Sequence, residues 1–296
     1  MRMTYFDDET LFDYLADQHD SHARATSWWQ FNSARAIEAA GSLRLFLVEN
    51  APFRLGPLDD LRFSFRQMGS INSLDLFGLD ELLLFSYYWR NRKRYRNVVD
   101  LGANIGLHSI LLGKMGMRVT SYEPDPSHMA ELRANMAENG LPVAGLRESA
   151  VNVDGLPVEF VRVVGNTTGS HIAGAKSDPY GELERFTVKT TPIADAVADV
   201  DLVKMDVEGF EATLLEALPN EAFAEMDIIA EIGTPENARR IFKRFHETSV
   251  YMFTQKTNWQ AAQYLGDLPT SHREGSVFLT VKSEMYWDKE PKSEHA

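Results

Sequence analysis

Cysteine is absent from the 296-residue sequence, and long hydrophobic runs are absent too. Without cysteine, disulfide bonds, thiolate metal sites and cysteine nucleophiles are excluded. The longest apolar stretches, residues 43–48 and 82–89, are far shorter than the ~20 residues that cross a bilayer. The N-terminal residues lack the basic-then-apolar pattern of a signal peptide. We therefore expect a protein with no membrane span and a cytoplasmic location.

Basic residues are in the minority, with 30 Lys and Arg against 43 Asp and Glu, a net charge of −13. Nucleic acids and anionic membranes are bound by basic surfaces, so this charge disfavours both as partners. The hydrophobic content of 44% and charged content of 25% are those of an ordinary globular protein. The length allows one large domain, or one domain with an appendage.

The first third of the chain differs in pattern from the rest. Residues 8–40 predict two helices, the second closed by Gly41. Residues 43–48 and 61–67 predict strands of a hairpin, and residues 75–89 predict a helix. We expect residues 1–95 to form an N-terminal helical and β-hairpin cap over an open end of a main domain at 96–285. Residues 286–296 are expected to be a polar tail.

The main domain alternates strands and helices, which predicts an α/β fold with a mostly parallel sheet and helices on both faces. Asp154-Gly155 predicts a hairpin between residues 151–153 and 156–163. The predicted strands of the sheet are 97–101, 118–122, 143–148, 200–205, 226–230, 249–254 and 276–281. The predicted helices between them are 107–115, 127–139, 210–218 and 236–247.

Residues 97–109 join a buried strand, a glycine turn and a helix start. Gly102 and Gly106 are spaced G-x-x-x-G, whereas dinucleotide-binding folds use G-x-G-x-x-G. Asp100 precedes them, and Glu123 ends the next strand, where a carboxylate binds ribose hydroxyls. The pattern resembles the S-adenosylmethionine (SAM) loop of class I methyltransferases. An ordinary turn with two glycines is the alternative.

Carboxylates end several predicted strands, and the carboxyl ends of parallel strands are where such sheets bind ligands. They are Asp100, Glu123, Asp206, Glu208 and Glu231. An acidic rim favours a sulfonium cation, and transfer of its methyl group needs alignment and, for a neutral hydroxyl, a base. Asp206 and Glu208 are candidates for that base, for a metal ligand or for a substrate hydrogen bond. Alternatively, they cap the helix after Gly209.

His171, in a polar loop at 165–181, is a further candidate base. His108 and His272 are alternatives, and any single one of the three is more often a surface histidine than a catalyst. No histidine pair has helical metal-ligand spacing, and there is no G-x-S-x-G nucleophile motif. We therefore predict Asp206, Glu208 and His171 as catalytic residues and no metal site.

Together these segments resemble the FkbM family of methyltransferases. The resemblance covers residues 97–231 and depends on three ordered motifs, at 98–106, 122–126 and 204–211, the last being the most distinctive. Thr190–Pro192 and the three residues after it look like a variant of a further family segment. Residues 1–95 have no counterpart in the resemblance.

The resemblance implies a Rossmann-like sheet of seven strands with the last antiparallel. It also implies SAM-dependent O-methylation of a sugar, glycan or secondary-metabolite hydroxyl. Gly102 and its neighbours would hold the methionine part of SAM, Glu123 the ribose, and Glu148 and Ser149 the adenine. The full set of implied cofactor-binding residues is Asp100, Gly102, Asn104, Gly106, Glu123, Glu148 and Ser149.

Other functions are weighed against this one. A catalytically silent SAM- or nucleotide-binding protein predicts a damaged glycine loop or a missing Glu123, and neither is seen. A nicotinamide oxidoreductase is disfavoured by the glycine spacing and by the lack of a Tyr-x-x-x-Lys pair, and nucleic-acid methylation by the charge. The expected partner is a small-molecule or glycan acceptor, and homo-oligomerisation stays open.

Overall fold

The computed structural model describes residues 5–69, 71–164, 169–175 and 182–287. No helix in these ranges is long and apolar enough to cross a membrane. The strands are β1 Phe53–Leu55, β2 Leu58–Leu61, β3 Gln67–Met68, β4 Ile71–Asn72, β5 Asn97–Leu101, β6 Arg118–Tyr122, β7 Leu146–Arg147, β8 Ala150–Asn152, β9 Val158–Val164, β10 His171–Ile172, β11 Glu182–Val188, β12 Thr190–Pro192, β13 Leu202–Met205, β14 Asp227–Glu231, β15 Tyr251–Thr254, β16 Gln260–Ala261 and β17 Ser276–Thr280. The helices are α1 Leu11–Asp17, α2 Ser27–Glu49, α3 Leu79–Asn91, α4 Leu107–Lys114, α5 Pro126–Glu138, α6 Ile193–Ala196, α7 Glu211–Ala217 and α8 Pro235–Phe245.

The central sheet has eight strands in the order β7-β6-β5-β13-β14-β17-β15-β16. The strands from β7 to β14 run parallel, and β17 lies antiparallel between β14 and β15. This confirms the predicted Rossmann-like α/β fold with its antiparallel last strand, and β16 adds a short eighth strand. The central strands read as continuous apolar runs because helices cover both of their faces.

The N-terminal region packs on a face of this sheet. Val98, Leu202 and Ile229 point to the same face and share one core with Leu82 and Phe85 of α3. On the other face, neighbouring strand residues form a second core with α6, α7 and α8. The N-terminal elements therefore contribute directly to the packing of the sheet.

Helix α2 corrects the prediction for residues 43–48. The helix continues through Gly41, where an added Cβ would meet nothing within 4 Å, and ends at Asn50 in the left-handed region. Buried residues recur at helical spacing, at Ala36, Leu43 and Leu47. Exposed apolar residues on the opposite face hid this period in the sequence. The N-terminal hairpin exists, but it joins β1 to β2.

The predicted hairpin around Asp154-Gly155 is wrong in its pairing. Strand β8 pairs in parallel with β12, and β9 pairs with β10 and β11. The short strands on either side of the turn therefore belong to two different small sheets. At the C-terminal end, Trp287 is buried against Tyr87, so the folded part extends into the predicted polar tail. Residues 288–296 lie outside the described residues.

Candidate functional site

The glycine loop lies against the end of β6. The N–H groups of Gly102 and Ala103 both donate to the Tyr122 carbonyl at 3.0 Å. Gly102 and Gly106 have φ of +76° and +96°, in the left-handed region that favours glycine. A Cβ on Gly106 would lie 2.3 Å from the Leu132 side chain, so glycine there lets α4 approach α5 closely.

Glu123 is buried at the end of β6 and holds the glycine loop in place. Its Oε2 accepts the Asn104 N–H at 2.8 Å, and its Oε1 accepts the Asp125 N–H at 2.8 Å. Burial raises the pKa of the Glu123 carboxyl to about 8, although both N–H groups favour the ionised form. Each carboxylate oxygen retains a lone pair for a ligand.

A first cavity opens beside Glu123 and encloses about 640 Å³, part of it open to solvent. Strands β9 and β10 form its far wall, and loops after β5, β6, β7 and β13 form the near one. The residues that line it include Gly102, Asn104, Glu123, Ser149, Phe160, His171, Asp206 and Glu208.

The predicted cofactor residues fall into two groups. Gly102, Asn104, Glu123 and Ser149 line the first cavity, whereas the other three do not. Asp100 is fully buried beneath the loop, where Ser109 Oγ donates to it at 2.6 Å. Gly106 begins α4 against Leu132, and Glu148 is exposed to solvent. Asp100 and Gly106 thus support the loop, and the structure places Glu148 outside the cavity.

The loop from Asp206 to Gly209 is braced from behind by Glu211. Its Oε1 accepts the N–H groups of Val207 and Gly209 at 3.0 Å each, and its Oε2 accepts from Asn237 at 2.7 Å. Burial raises the pKa of Glu211 to about 7. Phe210, and neither Asp206 nor Glu208, stands at the N-cap of α7. Glu211, the first residue of α7, therefore holds the loop that precedes the helix.

The three predicted catalytic residues do not occupy equivalent places. Glu208 and His171 line the first cavity, and Glu208 has a φ of 55° in the left-handed region. His171 is buried in β10, with Nδ1 2.9 Å from the Gly169 carbonyl. Asp206 lines the first cavity and also a second one.

The second cavity lies on the N-terminal side of Asp206 and encloses about 1120 Å³, part of it open to solvent. Helices α2 and α3 meet the ends of β13 and β14 there. The residues that line it include Arg24, Trp29, Ile37, Asp75, Asp80, Glu81, Leu84, Lys204, Asp206, Ile229, Glu231 and His272. His272, an alternative base in the sequence, thus reaches this cavity, whereas His108 lies behind it.

Lys204 is a buried cation between the two motifs. Its Nζ lies 3.4 Å from Asp100 Oδ1 and 3.6 Å from Asp206 Oδ2, and it donates to the Gly102 carbonyl at 3.3 Å. Burial alone lowers a lysine pKa, but Asp100, Asp206, Glu81 and Glu231 reverse that effect and raise the pKa of Lys204. The lysine therefore stays charged and fixes the positions of its partner carboxylates.

Sequence reasoning missed several residues of the site. Lys204 stands in an apolar strand, where a lone lysine gives little sign of its role. Glu81 lies in an amphipathic helix, and its Oε2 lies 2.7 Å from His108 Nε2. Arg162 reaches Asp125 from β9 with two hydrogen bonds of 2.6 and 2.7 Å. Among the described residues, no group of three or more His, Asp or Glu could hold a metal.

Comparison with known families decides the identity. The model of the methyltransferase FkbM domain matches residues 100–260, more than half of the chain. The chain belongs to the FkbM methyltransferase family. This confirms the resemblance and makes the chain a methyltransferase. The matched segment contains both the glycine loop and the Asp206–Gly209 loop. No curated protein matches the sequence significantly.

Several solved structures are similar to this FkbM-family chain. The ribosomal protein L11 methylase of Lactobacillus delbrueckii subsp. bulgaricus is 14% identical, over 66% of this chain and 75% of that one, with a TM-score of 0.33. WbdD is 13% identical over 69% of this chain, with a TM-score of 0.38, and the match spans 40% of WbdD. A SAM-dependent methyltransferase from Agrobacterium tumefaciens is 12% identical over 77% and 68%, with a TM-score of 0.37.

Proposed function

We propose that this FkbM-family methyltransferase transfers the methyl group of SAM to a hydroxyl of a sugar, glycan or secondary metabolite. SAM would bind in the first cavity and the acceptor in the second. The observation that carries this proposal is that Asp206 borders both cavities. Methyl transfer needs donor and acceptor to meet in line, and a shared wall provides the point where they meet. Independence from nucleic acids and a cytoplasmic location stay expectations from the charge and the absence of a signal pattern.

The residues of the first cavity fit SAM. The Glu123 carboxylate is positioned to accept the ribose hydroxyls, as its place at the end of β6 favours. The Asn104 Oδ1 atom is buried without a hydrogen-bond partner in the described part of the chain, so it offers an acceptor to the ligand. Glu208, which lines the first cavity and not the second, places negative charge where a sulfonium would lie. When bound, SAM supplies an electrophilic methyl group, and the protein aligns it and excludes water.

The second cavity suits a neutral hydroxyl compound. Trp29, Ile37, Leu84 and Ile229 give it an apolar side on which a ring can stack. Its carboxylates outnumber its cations, because Asp75, Asp80, Glu81, Asp206 and Glu231 face Arg24 and Lys204. Excess negative charge repels phosphate or carboxylate groups on an acceptor. We therefore propose an uncharged polyhydroxylated or partly apolar acceptor.

Two measurements on the wild-type chain test this function. Isothermal calorimetry measures SAM binding, and SAM labelled in its methyl group reports transfer to compounds in cell extracts resolved by mass spectrometry. We expect binding, and label in an uncharged compound as a methyl ether. Absence of heat at about millimolar SAM would remove the cofactor assignment, since even weak sites bind at that concentration. Label found only on anionic compounds would contradict the acceptor assignment.

A further inference from the structure

Five carboxyl groups and His272 line the second cavity, and the proposed reaction needs a base there. A general base must present a lone pair to the proton that it removes. A carboxylate already engaged with cations and N–H donors is held in place and weakened as a base. The hydrogen bonds of each carboxylate therefore distinguish the candidates, which are Asp75, Asp80, Glu81, Asp206 and Glu231.

Asp80 is engaged on both oxygens. Its Oδ1 accepts from Trp29 Nε1 at 3.0 Å and from Gln255 Nε2 at 2.5 Å. Its Oδ2 forms an ion pair with Arg24. These contacts join α2 and α3 to the segment after β15, so the carboxylate has a structural role.

The next two carboxylates are also engaged. Asp75 Oδ2 accepts the Asn72 N–H at 2.7 Å in a capping box. Glu81 Oε2 lies 2.7 Å from His108 Nε2, and although burial raises the pKa of Glu81, His108 and Lys204 lower it overall. Each carboxylate is therefore already engaged by a partner within the protein.

Asp206 is the carboxylate nearest the first cavity, but Lys204 lies 3.6 Å from it. The buried lysine therefore holds the Asp206 carboxylate in place. Asp206 is suited to orient an acceptor hydroxyl at the boundary between the cavities.

Glu231 differs from the other four. It ends β14, and the pairing of Lys204 with Ile229 places Glu231 on the same face of the sheet as Lys204 and Asp206. Among the described residues, no hydrogen bond or ion pair reaches the Glu231 carboxylate. It is only partly exposed, and it lines the cavity. The group thus has both access to the acceptor and a lone pair to offer.

We propose that Glu231 is the general base that removes the proton of the acceptor hydroxyl during methyl transfer. This inference rests on the proposed function. As the O–H bond breaks, its proton passes to a Glu231 oxygen, and the acceptor oxygen forms a bond to the methyl carbon. The bond between that carbon and the sulfur breaks, and its electron pair stays on sulfur. The products are a methyl ether, S-adenosylhomocysteine and a protonated Glu231, which then loses its proton to solvent.

The charges around Glu231 favour this role. Burial raises the pKa of Glu231 well above its ordinary value, and Asp206, Glu81 and Glu208 raise it further, whereas Lys204 opposes them. A carboxylate with a raised pKa is a stronger base near neutral pH. The remaining titratable or charged groups that line the same cavity are Arg24, Asp75, Asp80 and His272.

The test compares the full-length wild-type chain with Glu231→Gln and with a control, Glu236→Gln. Glu236 is exposed on α8, outside both cavities. The probes are methyl-labelled SAM and a panel of uncharged methyl glycosides and phenols. Calorimetry gives the SAM affinity, and a series of pH values gives the rate profile. We expect Glu231→Gln to lower kcat by about 100-fold or more, within the range that general bases contribute, and to change the SAM Kd by less than about threefold.

The pH profile separates a base from a merely structural residue. Wild-type kcat should rise with pH through a midpoint well above the ordinary glutamate value, and this rise should disappear in Glu231→Gln. Glu231→Asp, which keeps the carboxylate, should retain the rise. A Glu231→Gln enzyme with near-wild-type kcat and an unchanged profile would overturn this assignment while leaving the proposed function intact. A wild-type chain that binds SAM but labels no uncharged hydroxyl would overturn both.

Discussion

The Asp206 carbonyl oxygen lies 1.8 Å from the point where a Cβ on Gly102 would stand. No side chain can occupy that space, so the loop after β5 contacts the loop after β13 through bare backbone. The same loop receives the Lys204 ammonium on the Gly102 carbonyl. Two distant motifs of the sequence are therefore one structural unit, and this unit forms the floor of the first cavity.

Gly102→Ala should disrupt this unit. The added Cβ would meet backbone, which cannot yield as a flexible side chain does, and φ of +76° strains any other residue. We expect a loss of about 2–4 kcal/mol in the free energy of unfolding and no measurable SAM binding. Gly41→Ala is the matched control, because its Cβ meets nothing within 4 Å in the middle of α2. It should stabilise the chain by up to about 1 kcal/mol.

Thermal unfolding and calorimetry on both variants check this prediction. A Gly102→Ala chain with wild-type Tm and SAM affinity would show that the two loops do not depend on their close approach. The control matters because alanine alone is a small change. Only the position within the fold distinguishes the two substitutions.

Glu123→Gln should weaken SAM binding without unfolding the chain. The amide keeps an oxygen for one of the two N–H donors, Asn104 or Asp125, and sets its NH2 group against the other. It also loses the charge that strengthens hydrogen bonds from ribose hydroxyls. Hydrogen bonds to charged groups contribute about 1.5–3 kcal/mol, so we expect roughly 10- to 150-fold weaker binding. Glu138→Gln, exposed on α5, is the control. Equal SAM affinity in both variants would refute the ribose role.

The SAM affinity should also depend on pH through Glu123. Its pKa in the free protein is raised to about 8 from 4.5, so the folded chain holds a proton there at neutral pH. Between these values the folded state binds more protons than the unfolded state, and this group's contribution to stability falls as pH rises. If ribose hydroxyls bind the ionised form, binding releases the proton and tightens with rising pH.

The expected tightening is roughly 25-fold between about pH 6.5 and about pH 8.5, from the ionised fraction at a pKa near 8. Calorimetry in buffers of different ionisation enthalpy measures the released proton directly. Glu123→Gln should lose the dependence that belongs to this group. A profile shared by the variant and the wild type would instead assign the titration to SAM itself.

The strands at the centre of the sheet were predicted well from the sequence, and the segments outside the sheet were predicted less well. Strands β5 and β6 were placed at their observed bounds, because β5 is a largely apolar run closed by Gly102 and β6 lies between Gly116 and Pro124. Residues 43–48 were misread because α2 carries apolar residues on its exposed face as well as its buried one. An apolar side chain in the sequence does not say which face it occupies.

The residues of the site differ in the same way: some belong to a local sequence motif, and others depend on contacts with distant parts of the chain. Gly102 and Glu123 carry signals within one strand–turn–helix unit, so the motif was enough to find them. Glu81 and Arg162 acquire their roles through partners far along the chain, to which no local pattern refers. Lys204 opens the motif at 204–211, but its contacts with Asp100 and Gly102 depend on the pairing of β13 with β5. Glu231 was visible as a strand-end carboxylate. What distinguishes it from Asp206 is that Lys204 forms an ion pair with Asp206 and not with Glu231.

Asp206→Asn should separate binding from turnover. The amide keeps the shape of the boundary between the cavities but removes the charge that pairs with Lys204. We expect SAM affinity within about threefold of wild type and a kcat lower by about tenfold or more, as for a lost positioning contact. In contrast, Glu208→Gln alters only the first cavity and should change SAM affinity more than kcat. The reverse pattern in the two variants would exchange their roles.

Arg162→Ala tests whether the β9–β10–β11 sheet holds the first cavity in shape. Arg162 donates two hydrogen bonds to the buried Asp125, and these lower the pKa of Asp125 although burial raises it. Removing the arginine leaves a buried carboxylate without its cation, a loss of up to about 3 kcal/mol. Because the Asp125 N–H binds Glu123, we also expect weaker SAM binding.

Arg185→Ala is the matched control on the neighbouring strand, since Arg185 pairs with Glu159 at a half-exposed position of the same small sheet. An exposed ion pair contributes at most about 1 kcal/mol, so this variant should bind SAM as the wild type does. Denaturant unfolding and calorimetry of both variants compare them directly. The Arg162 assignment requires that its loss affects SAM binding more than the loss of Arg185, because Arg162, unlike Arg185, connects the far wall of the first cavity to the loop that carries Glu123 and Asp125.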